Sequence, residues 1–77
     1  MGFDATEYGR LLNALRVRRG YKRDEFALMI TKLGVETSYR SLGLIERGEQ
    51  LATVDRHIAF CKILKPPPEY FDEAFNG

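Results

Sequence analysis

The sequence has little of several features that would suggest a function directly. A single cysteine in 77 residues excludes an internal disulfide framework and favours a reducing, cytoplasmic location. No apolar run approaches the length that crosses a bilayer, and no secretory signal is expected because charged residues begin at Asp4. A chain of this length has room for one small domain and little for a substrate cleft, so we expect no enzymatic activity.

The net charge is only +1, whereas nucleic-acid-binding domains usually carry a clear basic surplus. The charges are unevenly distributed. Between residues 10 and 23 six basic residues occur without an acidic one, and the last nine residues contain three acidic residues and no basic one. This pattern fits a nucleic-acid-binding surface, but a solvated helix face followed by an acidic tail would give it equally well.

The chain is rich in helical periodicity. Asp4 is a good N-cap, Glu7 stands where it completes a capping box, and Phe3 and Tyr8 are spaced as a hydrophobic staple. The first helix should end near Arg19, before Gly20. Its apolar stripe is Tyr8, Leu11, Leu12 and Leu15.

Two short helices joined by a turn follow. The second helix should begin at Lys22 or Arg23 and end at Leu33, with Phe26, Ile30 and Leu33 facing inward. Residues 34–37 form the turn, and the third helix should run from about Ser38 to Arg47 with Leu42 and Ile45 inward. This order predicts a helix-turn-helix, whose second helix contacts DNA bases.

The last third of the chain predicts two more helices and no strand. Thr53 is a suitable cap for the fourth helix. Three prolines at positions 66–68 end it and precede a short fifth helix at about residues 69–75, whose Tyr70, Phe71 and Phe75 should fold back on the core. The inward face of the fourth helix is expected to be Val54, His57, Ile58, Cys61 and Leu64. We therefore predict one all-α domain, with a core at about residues 4–65 and a proline-initiated C-terminal helix and tail at 66–77.

His57 and Cys61 are four residues apart on the fourth helix, a spacing at which two side chains can share a metal. Structural zinc requires four ligands, and only these two soft ligands are present. Both lie on the expected apolar face. Core packing is therefore preferred over a metal site or a cysteine nucleophile, and no metal or other cofactor is expected.

Three pieces of the chain resemble the Cro and phage-repressor type of helix-turn-helix domain, also called XRE-like. Leu15-Arg16, Gly20-Tyr21 and residues 24–27 are similar to the family's end of helix 1 and start of helix 2. Leu42 and residues 45–48 (Ile-Glu-Arg-Gly) are similar to the end of its recognition helix. Residues 53–64, followed by Tyr70-Phe71, are similar to its fourth and fifth helices. Together the pieces span residues 8–71.

The resemblance implies a five-helix, repressor-like bundle with a structural ion pair between Arg16 and Glu46, tying helix 1 to the recognition helix. Two solvated surface charges, worth under about 1 kcal/mol, are the alternative. The chain departs from the family pattern in three ways. The segment from Phe26 to Glu46 is longer than usual, Lys22 and Arg23 replace a small polar cap and a glutamine, and acidic or neutral residues follow Gly48.

The resemblance also implies which residues contact DNA. Ser38 matches the cap of the recognition helix, and Tyr39, Arg40 and Ser41 match its exposed first turn. Arg40 is the expected base contact, because a guanidinium can bond guanine O6 and N7 together, which discriminates by roughly 1–3 kcal/mol. Tyr39 has two interpretations of equal weight, a phosphate or base contact and a half-buried core residue.

Further contacts are expected around this turn. Arg23 should meet a phosphate at the start of helix 2, and Lys22 and Arg47 are weaker candidates of the same kind. Gly43 either permits close approach to DNA or to helix 2, or has drifted on an exposed face. Leu44 is expected to be exposed, where it would meet a thymine methyl or a protein partner. The other arginines near this region are expected to be solvated: Arg10, Arg18 and Arg19.

The helix pattern and the resemblance together predict a sequence-specific DNA-binding transcriptional regulator of phage-repressor type, without enzymatic activity, whose recognition helix, from about Ser38 to Arg47, lies in the major groove. Double-stranded DNA is the expected partner, with a homodimer or a protein partner completing a two-part site and with Phe71 and Phe75 as candidate contacts. No membrane and no small-molecule substrate is expected. The alternative is a protein-interaction module of the same fold, antitoxin-like or adaptor-like, with little or no DNA binding.

Overall fold

The structure is a computed structural model that describes residues 2–76. In it, three helices begin directly after a residue whose side chain caps the helix. The Asp4 carboxylate accepts from the Glu7 N–H at 3.0 Å, and the Ser38 and Thr53 hydroxyls accept from N–H groups three residues on. The helices are α1 (Ala5–Arg18), α2 (Arg23–Lys32), α3 (Tyr39–Glu46), α4 (Val54–Leu64) and α5 (Asp72–Phe75). Residues 2–76 contain no strand, so the all-α prediction with five helices is confirmed. Met1 and the last residue of the predicted tail lie outside the described range.

The second helix lacks a capping side chain, as its sequence indicated. Instead, the Glu25 carboxylate reaches back and accepts from the Lys22 N–H at 2.9 Å. The predicted capping box of α1 is wrong in its second half, because Glu7 bonds Arg10 and the Asp4 N–H donates to the carbonyl of Ala74 at 2.7 Å. That bond ties the start of α1 to α5.

One core joins all five helices. α1 packs against α3 and α5, and α2 packs against α3 and α4. The rings of Phe26 and Phe60 are 5.6 Å apart at its centre. The largest fully buried side chains are Phe26, Phe60, Leu12, Leu15, Ile30, Leu42, Ile45 and Leu64.

The inward face of α4 differs from the predicted one. Val54 and Ile58 are exposed, at 74% and 46%, whereas Ala59 and Phe60 are buried. The sequence offers two overlapping apolar stripes on this helix, and the stripe that contains the large Phe60 ring packs inward. Leu33 was likewise expected inward but is 51% exposed, because it lies at the C-cap of α2 and no longer follows the helix.

The ends of α4 and α5 are fixed by long-range bonds. Arg19, expected to be solvated, donates to the carbonyls of Leu64 and Lys65 at 2.7 and 3.0 Å and so caps the C-terminus of α4. The hydroxyl of Tyr70 donates to the Leu11 carbonyl at 2.6 Å, and Phe71 is buried. No helix within residues 2–76 is long and apolar enough to cross a membrane.

Candidate nucleic-acid interface

A buried carboxylate, Glu46, connects the first three helices. Its Oε2 lies 2.7 Å from Nε of Arg16, and its Oε1 lies 3.0 Å from Nε of Arg23. Arg16 completes its bonding with the Tyr21 carbonyl and the Asn13 side chain, each at 2.7 Å. The Arg16 and Glu46 side chains are only 8% and 2% exposed. The structure thus places the predicted pair in contact, inside the fold and not on a solvated surface.

Arg23 is held between this carboxylate and the first residue of α3. Its guanidinium carbon lies 5.4 Å from the centroid of the Tyr39 ring, a cation–π distance, and its Nη1 lies 3.5 Å from the Tyr39 hydroxyl. Burial alone would lower the pKa of Arg23, but the bond to Glu46 and the charge of Glu46 raise it above its ordinary value. The side chain keeps 30% exposure. Arg23 is therefore both an internal contact and a cation at the surface.

The turn between α2 and α3 is built on Thr37, which is buried. The Thr31 hydroxyl accepts from the Thr37 N–H at 3.1 Å and lies 3.0 Å from the Thr37 carbonyl. From α4, the Arg56 guanidinium donates to the Thr37 hydroxyl and to the Glu36 carbonyl, each at 3.2 Å. These bonds connect α2 and α4 to the loop that leads into α3.

The first turn of α3 is open to solvent. Tyr39 is 56% exposed and Arg40 is exposed, while Ser41 is half-buried and gives its N–H to the Ser38 hydroxyl. The half-buried core interpretation of Tyr39 is therefore wrong. Arg40 forms no ion pair with any residue in the range 2–76. Its guanidinium is available to a ligand.

Gly43 lies beneath two arginines. A Cβ added there would lie 3.5 Å from Nη1 of Arg47 and 3.6 Å from Nη1 of Arg23, which are ordinary contacts with mobile side-chain ends. The packing of α2 on α3 therefore does not require this glycine, and it is not on an exposed face either. Close approach to DNA stays a prediction for Gly43. Leu44, expected to be exposed, is half-buried.

Arg23 of α2 packs on Tyr39, Arg23 and Arg47 both approach Gly43, and Arg40 follows Tyr39 in the exposed first turn of α3. We call Arg23, Tyr39, Arg40 and Arg47 the cationic face. Arg47 is 55% exposed and pairs with Glu49 at 3.0 Å, so part of its charge is neutralised. Lys22 is exposed beside Arg23, at the residue before α2. Each of these four residues was a predicted DNA contact, and that role stays a prediction. The sequence did not indicate that Arg23 would share a carboxylate with Arg16.

Several contacts that hold the interface were not predicted. Gly9 lets α1 cross the end of α3, since a Cβ there would overlap the carbonyl oxygens of Ile45 and Glu46. Thr31 and Arg56 orient the turn, as described above. Their roles depend on partners distant in sequence, and no local pattern marks them.

His57 and Cys61 lie next to each other on α4. The Tyr8 hydroxyl lies 2.7 Å from Nδ1 of His57, and the Cys61 sulfur lies 3.6 Å from its Nε2. Burial lowers the pKa of His57 and raises that of Cys61, so both groups favour their neutral forms. No cluster of three potential metal ligands occurs within residues 2–76. The His57 ring packs against the aromatic rings of Tyr8, Phe71 and Phe75.

No model of a known protein family and no curated protein matches this chain.

Proposed function

We propose that this protein is a sequence-specific DNA-binding transcriptional regulator of the Cro and phage-repressor type, in which α2 and α3 act as a helix-turn-helix. In this proposal α3 lies in the major groove, with its N-terminal residues against base edges. The observation that carries it is the exposed first turn of α3, which presents Arg40 without an internal ion-pair partner in residues 2–76.

The roles of the cationic face follow from its geometry. Arg40 contacts a guanine, because its guanidinium can donate to O6 and N7 together. Arg23, fixed by Glu46 and Tyr39, contacts a phosphate near the start of α2, where the helix dipole favours an anion. Arg47 and Lys22 add weaker phosphate contacts. Phosphate contacts set the orientation of the domain, and the base contacts select the sequence.

The proposal is tested by fluorescence anisotropy with labelled mixed-sequence duplex DNA over a series of salt concentrations. We expect the binding constant to fall linearly with salt on a log–log plot, with a slope near −0.9 for each phosphate neutralised. Two or three such contacts would give a slope of roughly −2 to −3. Absence of binding at low salt would contradict the proposal.

A second candidate is a protein-interaction module of antitoxin or adaptor type. The observations that favour it are the net charge of +1 and the internal pairing of Arg23 and Arg47 with acidic side chains. Such a module would bind DNA neither tightly nor with salt dependence. The same anisotropy series therefore separates the two candidates.

A further inference from the structure

The outward side of α4 carries two exposed apolar residues beside two charged ones. Val54 and Ile58 are one helical turn apart and are 74% and 46% exposed. Asp55 and Lys62 are also exposed, and at helical spacing both lie on the same side of Ile58. We call these four residues the α4 outer face. Neither Asp55 nor Lys62 forms an ion pair within residues 2–76.

A groove runs beside this face, between α4 and the segment that follows α2. Its volume is about 160 Å³. Leu33 and Val35 form one wall, Ile58 and Ala59 form the other, and Asp55 and Lys62 complete the lining. The groove therefore combines apolar walls with one acidic and one basic side chain.

We infer that the α4 outer face binds a second copy of this chain through an antiparallel contact between the two α4 helices. Asp55 and Lys62 are seven residues apart, about 10.5 Å along a helix axis, with Ile58 between them. When a twofold axis passes near Ile58, Asp55 of each copy faces Lys62 of the other. A parallel pairing would place like charges opposite each other, so the charge pattern selects the antiparallel arrangement.

The apolar residues fit the same arrangement. A twofold axis near Ile58 brings the Ile58 side chains of the two copies together, with Leu33 and Val35 of each copy beside this contact. The aliphatic stem of each Lys62 can cover Val54 of the other copy while its ammonium group meets Asp55. The contact would bury the exposed apolar side chains and pair both free charges. It does not depend on DNA binding.

The expected affinity is low. A standard interface buries about 800 Å² on each partner, about a sixth of the 4901 Å² surface of this chain. A contact through one helix face of this small chain is smaller than such an interface. Self-association must therefore be followed over a wide concentration range. Phe71, expected from the sequence as a dimer contact, is buried in its own chain and takes no part.

The test is sedimentation equilibrium of the full chain from micromolar to millimolar concentration, with charge-reversal variants. Asp55→Lys and Lys62→Asp each place like charges opposite each other twice in the dimer. We expect the dissociation constant of the dimer to be at least about tenfold higher for each variant than for the unmodified chain. An equimolar mixture of the two variants restores both opposite-charge contacts in a heterodimer, so we expect the mixture to associate again.

Matched controls separate this effect from local helix stability. Asp24→Lys reverses an exposed acid in the first turn of α2, and Arg18→Asp reverses an exposed base in the last turn of α1. Both should leave self-association unchanged, and circular dichroism should show all variants folded. A monomer at every concentration would overturn the inference and leave the groove to another partner. A folded mixture that stays monomeric would also overturn it.

Discussion

The outward sides of α3 and α4 differ although both helices pack on the same core. α3 presents Tyr39 and Arg40 to solvent, with Arg23 held beside them by a buried carboxylate. α4 presents Val54 and Ile58, with one free acid and one free base. We propose duplex DNA as the ligand of the first surface and a second copy of the chain as the ligand of the second.

The difference also extends to how each surface is held. The cationic face depends on a polar network, because Glu46 joins α1, α2 and α3 and because Thr37 and Arg56 fix the turn. The α4 outer face is held by the packing of Phe60 and Leu64 on the other side of its helix, and Thr53 and Arg19 cap the two ends of that helix. Changes to the network should therefore alter the fold and the cationic face together, while changes to the exposed residues of the α4 outer face should leave the fold intact.

The largest expected effect comes from removing the charge of Glu46. Glu46→Gln leaves the buried Arg16 without its counter-ion, so we expect the free energy of unfolding to fall by about 3–5 kcal/mol. Urea denaturation measures this loss. Glu49→Gln is the matched control, because it breaks the exposed pair with Arg47 and should cost under about 1 kcal/mol. Equal losses in the two variants would show that the buried ion pairs of Glu46 stabilise the fold no more than the exposed pair of Glu49 does.

Two helical glycines sharpen the same comparison. Gly9→Ala forces a methyl group against the Ile45 and Glu46 carbonyls, so we expect a loss of about 1–3 kcal/mol in urea denaturation. Gly43→Ala places its methyl in ordinary contact with arginine side chains and should gain up to about 1 kcal/mol, because alanine favours helix. If Gly43→Ala also weakens DNA binding, the close-approach interpretation of Gly43 is supported. Destabilisation by both variants would contradict this account of the packing.

Arg40→Ala should relax the choice of sequence without unfolding the domain. Selection from a randomised duplex pool should lose a preference worth roughly 1–3 kcal/mol at one base pair. Arg18→Ala, which removes an exposed arginine from α1, is the control and should keep the selected sequence unchanged. An unaltered preference in Arg40→Ala would exclude this residue from base contact.

The smallest effect concerns pH. His57 is the single histidine, and burial lowers its pKa in the folded state below the unfolded value of about 6.5. The unfolded chain therefore takes up a proton more readily, and stability should fall as the pH drops from 7.5 to 5. His57→Gln should flatten the pH dependence of the urea midpoint in this window. If the urea midpoint of that variant depends as steeply on pH, groups other than His57 cause the dependence.

Much of this fold follows from local signals. Asp4, Ser38 and Thr53 mark the starts of three helices, and the glycines at 20, 34 and 48 follow the ends of α1, α2 and α3. The orientation of α4 was not predictable in this way, because Val54 and Ile58 form as good a stripe as Phe60 and Leu64. Only the rest of the core decides between them.

The candidate site shows the same limit. Exposed residues at the start of α3 are a local consequence of a cap and a helix period. The arrangement of Arg16, Arg23 and Glu46 joins three helices, and the Arg16–Glu46 contact was expected only through a family resemblance. Arg56 reaches the turn from another helix, and no spacing in the sequence indicates it.

The most direct test of the two-surface account is a map of backbone amide chemical shifts in a ¹⁵N-labelled chain as duplex DNA is added. The account predicts changes concentrated at the start of α2 and in the first turn of α3, around Arg23 and Arg40. Amides of Val54, Ile58 and Lys62 should stay unchanged at protein concentrations too low for self-association. Changes centred on α4, or absent from α3, would contradict the assignment of the cationic face to DNA.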